Sequence, residues 1–302
     1  MAVLLNVILP VILVAGVAAL AQRYVKLDVR TTSRAAFYLF APALVFDSLA
    51  NSTIGGAEFG QIAVTLIATT LVLWGLGEGL GRLLRLKGPT LSAFLLSILL
   101  VNAGNLGLPI VLFAFGEEGL ARGTAFFAVS SAISASLGVY LAVRGCSPGT
   151  LAIRRLASVP LVYAAILGLA LNLAHFTVPE PLSKAIHLLG QASVPVMLVT
   201  LGIQLAQTSH GRWRGIHRPA LATAIAARLL IAPALALLAA VVLGLSGLTR
   251  NVVIIQSAMP TAVMTTIIAA EFECDNSFVT IAVLATTIIS VLTLTLLLNL
   301  LI

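Results

Sequence analysis

The stretch Val101-Asn102-Ala103-Gly104-Asn105-Leu106-Gly107-Leu108-Pro109-Ile110 decides the fold. It lies inside a long apolar run, yet it holds two asparagines, two glycines and a proline within eight residues. Proline has no backbone N–H, and its ring clashes with the preceding turn of a helix. An unbroken helix is therefore not expected here. Backbone freed of hydrogen bonds at membrane depth is tolerated only where it is buried in protein or lines a watery cavity. A second stretch, Gln256-Ser257-Ala258-Met259-Pro260-Thr261, is again polar and again interrupted at proline. Because proline suits the first position of a helix, half-helices are predicted to restart near Pro109 and Pro260. Their N-termini would direct free N–H groups and partial positive charge at the bilayer midplane, a favourable seat for an anion. Asn102, Asn105, Gln256 and Ser257 add neutral donors and acceptors. The alternative for each is a helix-packing hydrogen bond with no ligand.

The composition around these stretches is that of a membrane protein. Of 302 residues, 60% are hydrophobic and 9% charged, with a mean hydropathy of +1.12. Soluble domains average about 45–50% apolar and about 25% charged. A soluble enzyme, a disordered chain and a nucleic-acid binder are excluded on that ground. The apolar residues fall in ten runs, at about 2–22, 32–50, 60–83, 91–115, 120–143, 152–174, 184–207, 218–244, 250–271 and 276–301. About 20 such residues make a helix that crosses about 30 Å of hydrocarbon. The first run lacks the positive region that opens a signal peptide, so it is expected as a retained span. No connection looks long enough for a separate domain.

The net charge of +7 is spread without a basic block. Thirteen of the seventeen Lys and Arg residues lie in odd-numbered connections, among them Arg23, Lys26, Arg82, Arg85, Arg144, Arg154, Arg155, Arg212 and Arg214. The even-numbered connections hold only Arg122, Lys184 and Arg250. By the positive-inside rule, odd connections are cytoplasmic and both termini lie outside.

Three pairs of prolines inside the runs repeat at nearly one spacing: Pro10 with Pro160, Pro42 with Pro195, and Pro109 with Pro260, separated by 150, 153 and 151 residues. Pro233 has no partner. The chain is thus read as two copies of a five-span unit, residues 1–145 and 146–302. Five is odd, so the second copy enters the membrane from the opposite side. Inverted repeats of this kind mark secondary transporters.

At these residues the chain resembles the auxin efflux carrier family, which includes bacterial permeases and plant carriers. Asn102 seven residues before Pro109, with Gly107-Leu108-Pro109 closing the stretch, is similar to the family's first crossover motif. Gln256 to Thr261, followed by Glu271-Phe272, is similar to the second. Further echoes are Arg228-Leu229-Leu230-Ile231-Ala232-Pro233 and Ala157-Ser158-Val159-Pro160. The resemblance covers essentially the whole chain. It implies an all-α polytopic fold of ten helices related to bile-acid symporters and sodium/proton antiporters. Spans one, two, six and seven (1–50 and 152–207) would form a scaffold that pairs in a homodimer, and the other six (60–143 and 218–301) a moving transport domain. It further implies a small organic carboxylate at the crossover, contacted by Asn102 and lined by Asn105, Gly107, Pro109, Gln256, Ser257, Pro260 and Thr261. The chain departs from the plant carriers in lacking a large insert between halves and in having Asp47 in the second span.

Other polar groups have blander readings. Arg228 lies inside the eighth span, and intramembrane ionisable groups are functional candidates by default. Snorkelling, or bonds to backbone carbonyls, is the alternative. Asp47 is expected near the outer interface, with a support or coupling role as the other reading. Glu78 has Arg82 one turn on as its natural partner. Gly75, Gly77, Gly79 and Gly81 form overlapping small-residue pairs, the mark of a close helix contact. Cys146 and Cys274 are expected as two inert thiols. His175, His187, His210 and His217 show no ligand spacing, and no HExxH or GxSxG stretch occurs. Neither an enzyme nor a metal or other cofactor is therefore expected. The leading function is an elevator-type carrier of small organic anions, auxin-like or dicarboxylate, in a cell membrane such as the bacterial inner membrane. A cation-coupled symporter or antiporter on the same fold, and a non-transporting receptor, stand as alternatives.

Overall fold

A computed structural model describes residues 4–145, 159–208 and 216–301. Cys146, Pro148, Arg154, Arg155, Ala157, Ser158, His210, Arg212 and Arg214 lie outside the described residues, and with them the start of the sixth expected span. In chain order the helices are α1 (Leu9–Val25), α2 (Val29–Ala35), α3 (Ala41–Ala50), α4 (Gly56–Leu83), α5 (Gly88–Leu99), α6 (Leu108–Ile133), α7 (Val139–Gly145) and α8 (Pro160–Leu173). They continue with α9 (Glu180–Thr208), α10 (Arg218–Ala226), α11 (Ala232–Val242), α12 (Gly247–Ser257), α13 (Met264–Glu271) and α14 (Asn276–Leu301). Among the described residues the only β-pairing is one antiparallel bridge, Val101 with Thr261.

Among the described residues, six segments are long and apolar enough to cross a membrane: Leu5–Val25, Gly56–Leu83, Ala103–Gly145, Glu180–Gln207, Arg218–Val242 and Asn276–Leu301. The shorter apolar helices Gly88–Leu99 and Pro160–Leu173 join them. The chain is a polytopic helical membrane protein. The outward faces of α1, α8 and α14 present large apolar side chains such as Leu13, Val17, Ile166, Leu167, Leu292 and Leu296. That is the surface a helix shows to lipid or to another apolar face.

Ala103–Gly145 is not one rod. Gly116 adopts φ 66° and ψ −161° inside α6, a conformation that glycine alone adopts readily. The chain reverses there. A Cβ on Gly104 would fall 2.6 Å from the Phe127 ring, and one on Gly123 would fall 3.3 Å from Leu108 and Val111. The connection expected over about 116–119 is thus a single-residue reversal, with helix on both sides of it.

Of the five π-helical turns among the described residues, four, Leu4–Ile8, Ala36–Phe40, Ala103–Gly107 and Ala227–Ile231, each end two residues before a proline: Pro10, Pro42, Pro109 and Pro233; the fifth, Ser134–Gly138, does not. The cause is common to those four. Proline withholds one donor and its ring crowds the carbonyl four residues back, so the turn before it widens to the i→i+5 pattern. Gly107 N–H donating to Asn102 O at 3.1 Å is one such bond. Pro233, unmatched in the repeat, is accounted for in this way.

α4 and α11 end alike. In the first, Leu84, Arg85 and Leu86 N–H donate to Leu80, Arg82 and Gly81 O. In the second, Leu243, Gly244 and Leu245 N–H donate to Ala239, Val241 and Ala240 O, every residue offset by 159. Positive φ follows the same offset, at Arg85 and Gly88 in the first and at Gly244 and Gly247 in the second. Each end closes its orphan carbonyls in a Schellman-type pattern.

Glycines set the closest helix contacts. Added Cβ atoms on Gly77 and Gly81 would meet Ile98 at 2.5 Å and Leu91 at 2.5 Å, whereas Gly75 and Gly79 face open space. The expected close contact therefore uses one face, with α5 as the partner of α4. Gly202 lets α9 approach Ala15 O of α1, Gly168 lets α8 approach Phe46 O of α3, and Gly190 lets α9 approach Leu44 of α3. Glu78 pairs with Arg144 of α7, not with Arg82, and also accepts from Trp74 Nε1 at 3.2 Å. Arg144 reaches Glu78 from a separate helix, so no sequence spacing announces the pair. Cys274 is disulfide-bonded, not a free thiol.

Candidate functional site

The helical path stops at 100–102 after α5 and at 258–263 after α12, and the two gaps lie against each other. Asn102 N–H donates to Pro260 O at 2.9 Å, and Ala262 N–H donates to Leu100 O at 2.8 Å. Each interrupted backbone thereby satisfies part of the other, as backbone at membrane depth must. Thr261 adds two tethers: its Oγ1 donates to Ser97 O at 2.7 Å, and its N–H donates to Thr286 Oγ1 of α14 at 3.2 Å.

The restarts differ from the expected positions in opposite senses. After the first gap the chain is helical from Ala103, six residues before Pro109, because the glycine-containing π-turn Ala103–Gly107 absorbs the proline. After the second gap α13 begins at Met264, four residues beyond Pro260. Pro260 sits in extended chain there, its carbonyl engaged by Asn102.

Asn102, Gly107, Pro109, Gln256, Ser257, Pro260 and Thr261 are all buried at or beside the crossing. Gln256 lies between two glycines: a Cβ on Gly107 would fall 2.1 Å from its Oε1, and one on Gly123 would fall 3.2 Å from its Nε2. The Asn102 side chain makes no cap for the turn it precedes. Its Nδ2 is buried without a partner, as are Gln256 Oε1, Ser257 Oγ and Arg228 Nε. Buried donors and acceptors left unpaired cost about 1–3 kcal/mol each. Four of them beside one crossing mark a place where a ligand or water is needed.

Asn105 is half-buried and turns away from that set. Its Nδ2 donates to Gln204 Oε1 of α9 at 3.2 Å, and Gln204 Nε2 donates to Ser33 Oγ of α2 at 3.0 Å. This chain of hydrogen bonds ties the π-turn Ala103–Gly107 to α9 and α2.

Arg228, 3% exposed, lies on the π-turn Ala227–Ile231. Its Nη1 donates to Ile98 O at 2.9 Å and its Nη2 to Ser257 O. The guanidinium thus bonds to backbone carbonyls instead of snorkelling to the cytoplasmic face. Beside it is a cavity of about 20 Å³ lined by Thr69, Thr70, Ser257, Leu66 and Phe126 among others, room for about one water. Thr69 Oγ1 is another buried group without a partner there.

Asp47 is not brought to the crossing. Its Oδ2 pairs with His187 Nδ1 at 2.7 Å, and its Oδ1 accepts from Asn51 at 2.9 Å. The pair joins α3 to α9 across 140 residues of sequence. Among the described residues, no group of three or more His, Cys, Asp or Glu could hold a metal ion. Sequence reasoning missed Ser97, Thr286, Thr69 and Gln204. Only Gln204 left a signal, as an amide inside an apolar run.

Two interrupted helices exchanging backbone bonds at membrane depth, with unpaired polar groups beside them, define a membrane transport protein. The chain belongs to the family described as membrane transport protein, whose model matches residues 3–145 and 148–298. It is 29% identical over 266 residues to an uncharacterized transporter of Methanocaldococcus jannaschii, covering 84% of each chain. It is 27% identical over 274 residues to a Rhizobium meliloti protein provisionally named as a malonate transporter, covering 85% of this chain and 82% of that one. To auxin efflux carrier component 1 of Arabidopsis thaliana it is 29% identical over 135 residues, 43% of this chain and 21% of the other. The relationship agrees with the auxin efflux carrier family.

Proposed function

We propose that this chain is a secondary transporter of small organic anions, with a carboxylate bound at the crossing and an elevator-type alternating-access cycle. The observation that carries the reading is Asn102 Nδ2, buried and unpaired beside the crossing. A carboxylate oxygen is the acceptor this donor lacks, and Gly107 keeps the backbone there free of side chain. Dicarboxylates such as malonate head the candidate substrates, on the name of the Rhizobium relative. Auxin-like indole carboxylates follow, on the similarity to the plant carriers.

The proposal includes ten spans arranged as two inverted five-helix repeats, 1–145 and 146–302. The matched ends of α4 and α11, offset by 159 residues, support the repeat independently of the prolines. Spans within 1–50 and 152–207 act as the scaffold. The glycine-mediated contacts of α1 with α9, and of α3 with α8 and α9, support that grouping. The apolar outward face of α1 suits a homodimer through this scaffold. The spans within 60–143 and 218–301 move, and Asn105–Gln204 is a bond that must break or slide as they do. The proposed location is a cell membrane, with both termini outside.

Counterflow in proteoliposomes tests the reading. Purified protein is loaded with a panel of carboxylates, malonate and indole-3-acetate included, and exchange of the labelled compound is followed. Exchange that is lost in Asn102→Ala while the variant keeps its melting temperature supports the site. An Asn102→Ala protein exchanging at the wild-type rate overturns it.

A further inference from the structure

The Arg228 guanidinium bridges the last turns of two different half-helices. Ile98 is the penultimate residue of α5 and Ser257 the last residue of α12. Each helix C-terminus leaves carbonyls without intrahelical donors and carries about half a negative charge. Two such ends meeting at the crossing carry about one negative charge together, in a setting where bulk water cannot screen it. In carriers built from broken helices, unwound carbonyls and half-helix C-terminal ends are where a coupling cation binds. Here one fixed, buried cation donates to a carbonyl from each end. Among the described residues, every acid in an ion pair is taken by another base, and Arg228 meets no carboxylate.

We propose that Arg228 is a built-in cation that takes the place of a bound coupling ion, clamping the C-terminal ends of α5 and α12 at the crossing. The site is electrically complete with Arg228 in it, so a sodium ion gains nothing there and meets a like charge. Two features suit the residue to the task. The planar fork of arginine holds two donors at a fixed spacing for two separate carbonyls, whereas lysine offers its three donors from a single nitrogen at the end of a flexible stem. The π-turn before Pro233 places Arg228 among its buried residues. The clamp acts on the carrier without substrate, so it stands or falls apart from the carboxylate reading above.

The test uses the full chain in nanodiscs, with melting temperature as the readout and no carboxylate present. Sodium, potassium and N-methylglucamine chlorides are compared at constant ionic strength for wild type, Arg228→Lys, Arg228→Gln and Arg228→Ala. The expected result is a wild-type melting temperature indifferent to the cation. Arg228→Lys falls by several degrees, and Arg228→Gln by more. Arg228→Ala falls furthest, and it recovers part of the loss when methylguanidinium is supplied at low concentration but not with tetramethylammonium. Where Arg228→Ala does not fold, Arg228→Lys against Arg228→Gln carries the comparison alone. A wild-type protein stabilised selectively by sodium overturns the proposal, as do equal losses for Arg228→Lys and Arg228→Gln.

Discussion

The two interruptions at the crossing reach the same depth by different means. The first is short, three residues, and runs straight into the π-turn Ala103–Gly107, where Gly104 lies under the Phe127 ring and Gly107 under Gln256, with no room for Cβ atoms. The second is six residues long, has no such glycine turn after it, and is stitched by the Thr261 hydroxyl and amide to Ser97 and Thr286. The first gap is followed by glycine packing that needs no side-chain donor, and Asn102 Nδ2 is left unpaired in it. A gap closed by hydroxyl bonds spends such donors. On the proposed function, ligand contact falls chiefly to the first interruption and mechanical retention chiefly to the second.

The largest effect that distinguishes them is on transport. Asn102→Ala removes a donor that has no partner in the unliganded protein, so the loss of that donor breaks no protein hydrogen bond. Carboxylate exchange is expected to fall at least about tenfold, the equivalent of about 1.4 kcal/mol, with the melting temperature level or slightly raised. Thermal unfolding and counterflow on the same preparation separate the two quantities. A joint loss of stability and exchange would place Asn102 with Thr261 as a structural residue and erase the contrast.

Gly107→Ala comes next, as a stability effect. The backbone at Gly107 is helical, φ −67° and ψ −47°, so alanine suits the conformation and only the Gln256 amide stands in its way. Overpacking of this kind costs about 1–3 kcal/mol. The added variant Gln256→Ala should return most of that loss, since the clash is with one side chain. A double variant as unstable as Gly107→Ala alone would show that the clash lies elsewhere.

Much of this crossing was legible in the chain, and the reason is chemical. Glycine, proline and asparagine inside an apolar run carry their meaning locally, because each acts on its own backbone. The restart points were not legible, since they depend on what the gap docks against: Pro260 stays extended because Asn102 holds its carbonyl. The same limit governs Glu78, whose partner is Arg144 and not the nearer Arg82, and Asp47, whose partner His187 lies 140 residues away. Partners brought together by tertiary packing leave no periodic trace. Polar groups that act on their own turn do.

Thr261→Val probes the second interruption with a smaller effect. Valine keeps the shape and removes the hydroxyl that donates to Ser97 O. A hydrogen bond of this kind contributes about 0.5–1.5 kcal/mol net, with a larger loss where the acceptor is left buried and unpaired. Stability is expected to fall by about that much in chemical or thermal unfolding, while apparent substrate affinity in counterflow stays near wild type. An affinity loss matching that of Asn102→Ala would mean that both interruptions touch the ligand.

Ser257→Ala is the finest division of the two. Its carbonyl is held by Arg228 through the main chain and is untouched by the substitution, whereas its Oγ is buried without a partner. If the second interruption only retains, removing an unsatisfied buried hydroxyl leaves stability level or raises it, by up to the about 1–3 kcal/mol that an unpaired buried group costs, and leaves exchange unchanged. If the hydroxyl instead reaches the ligand through the small cavity it shares with Thr69 and Arg228, exchange falls without any loss of stability, as for Asn102→Ala. The ratio of the two exchange losses, measured on one substrate, then apportions ligand contact between the halves of the crossing. A ratio near one would mean that the hydroxyl stitching at Thr261 spares enough polar surface for the second half to bind as the first does.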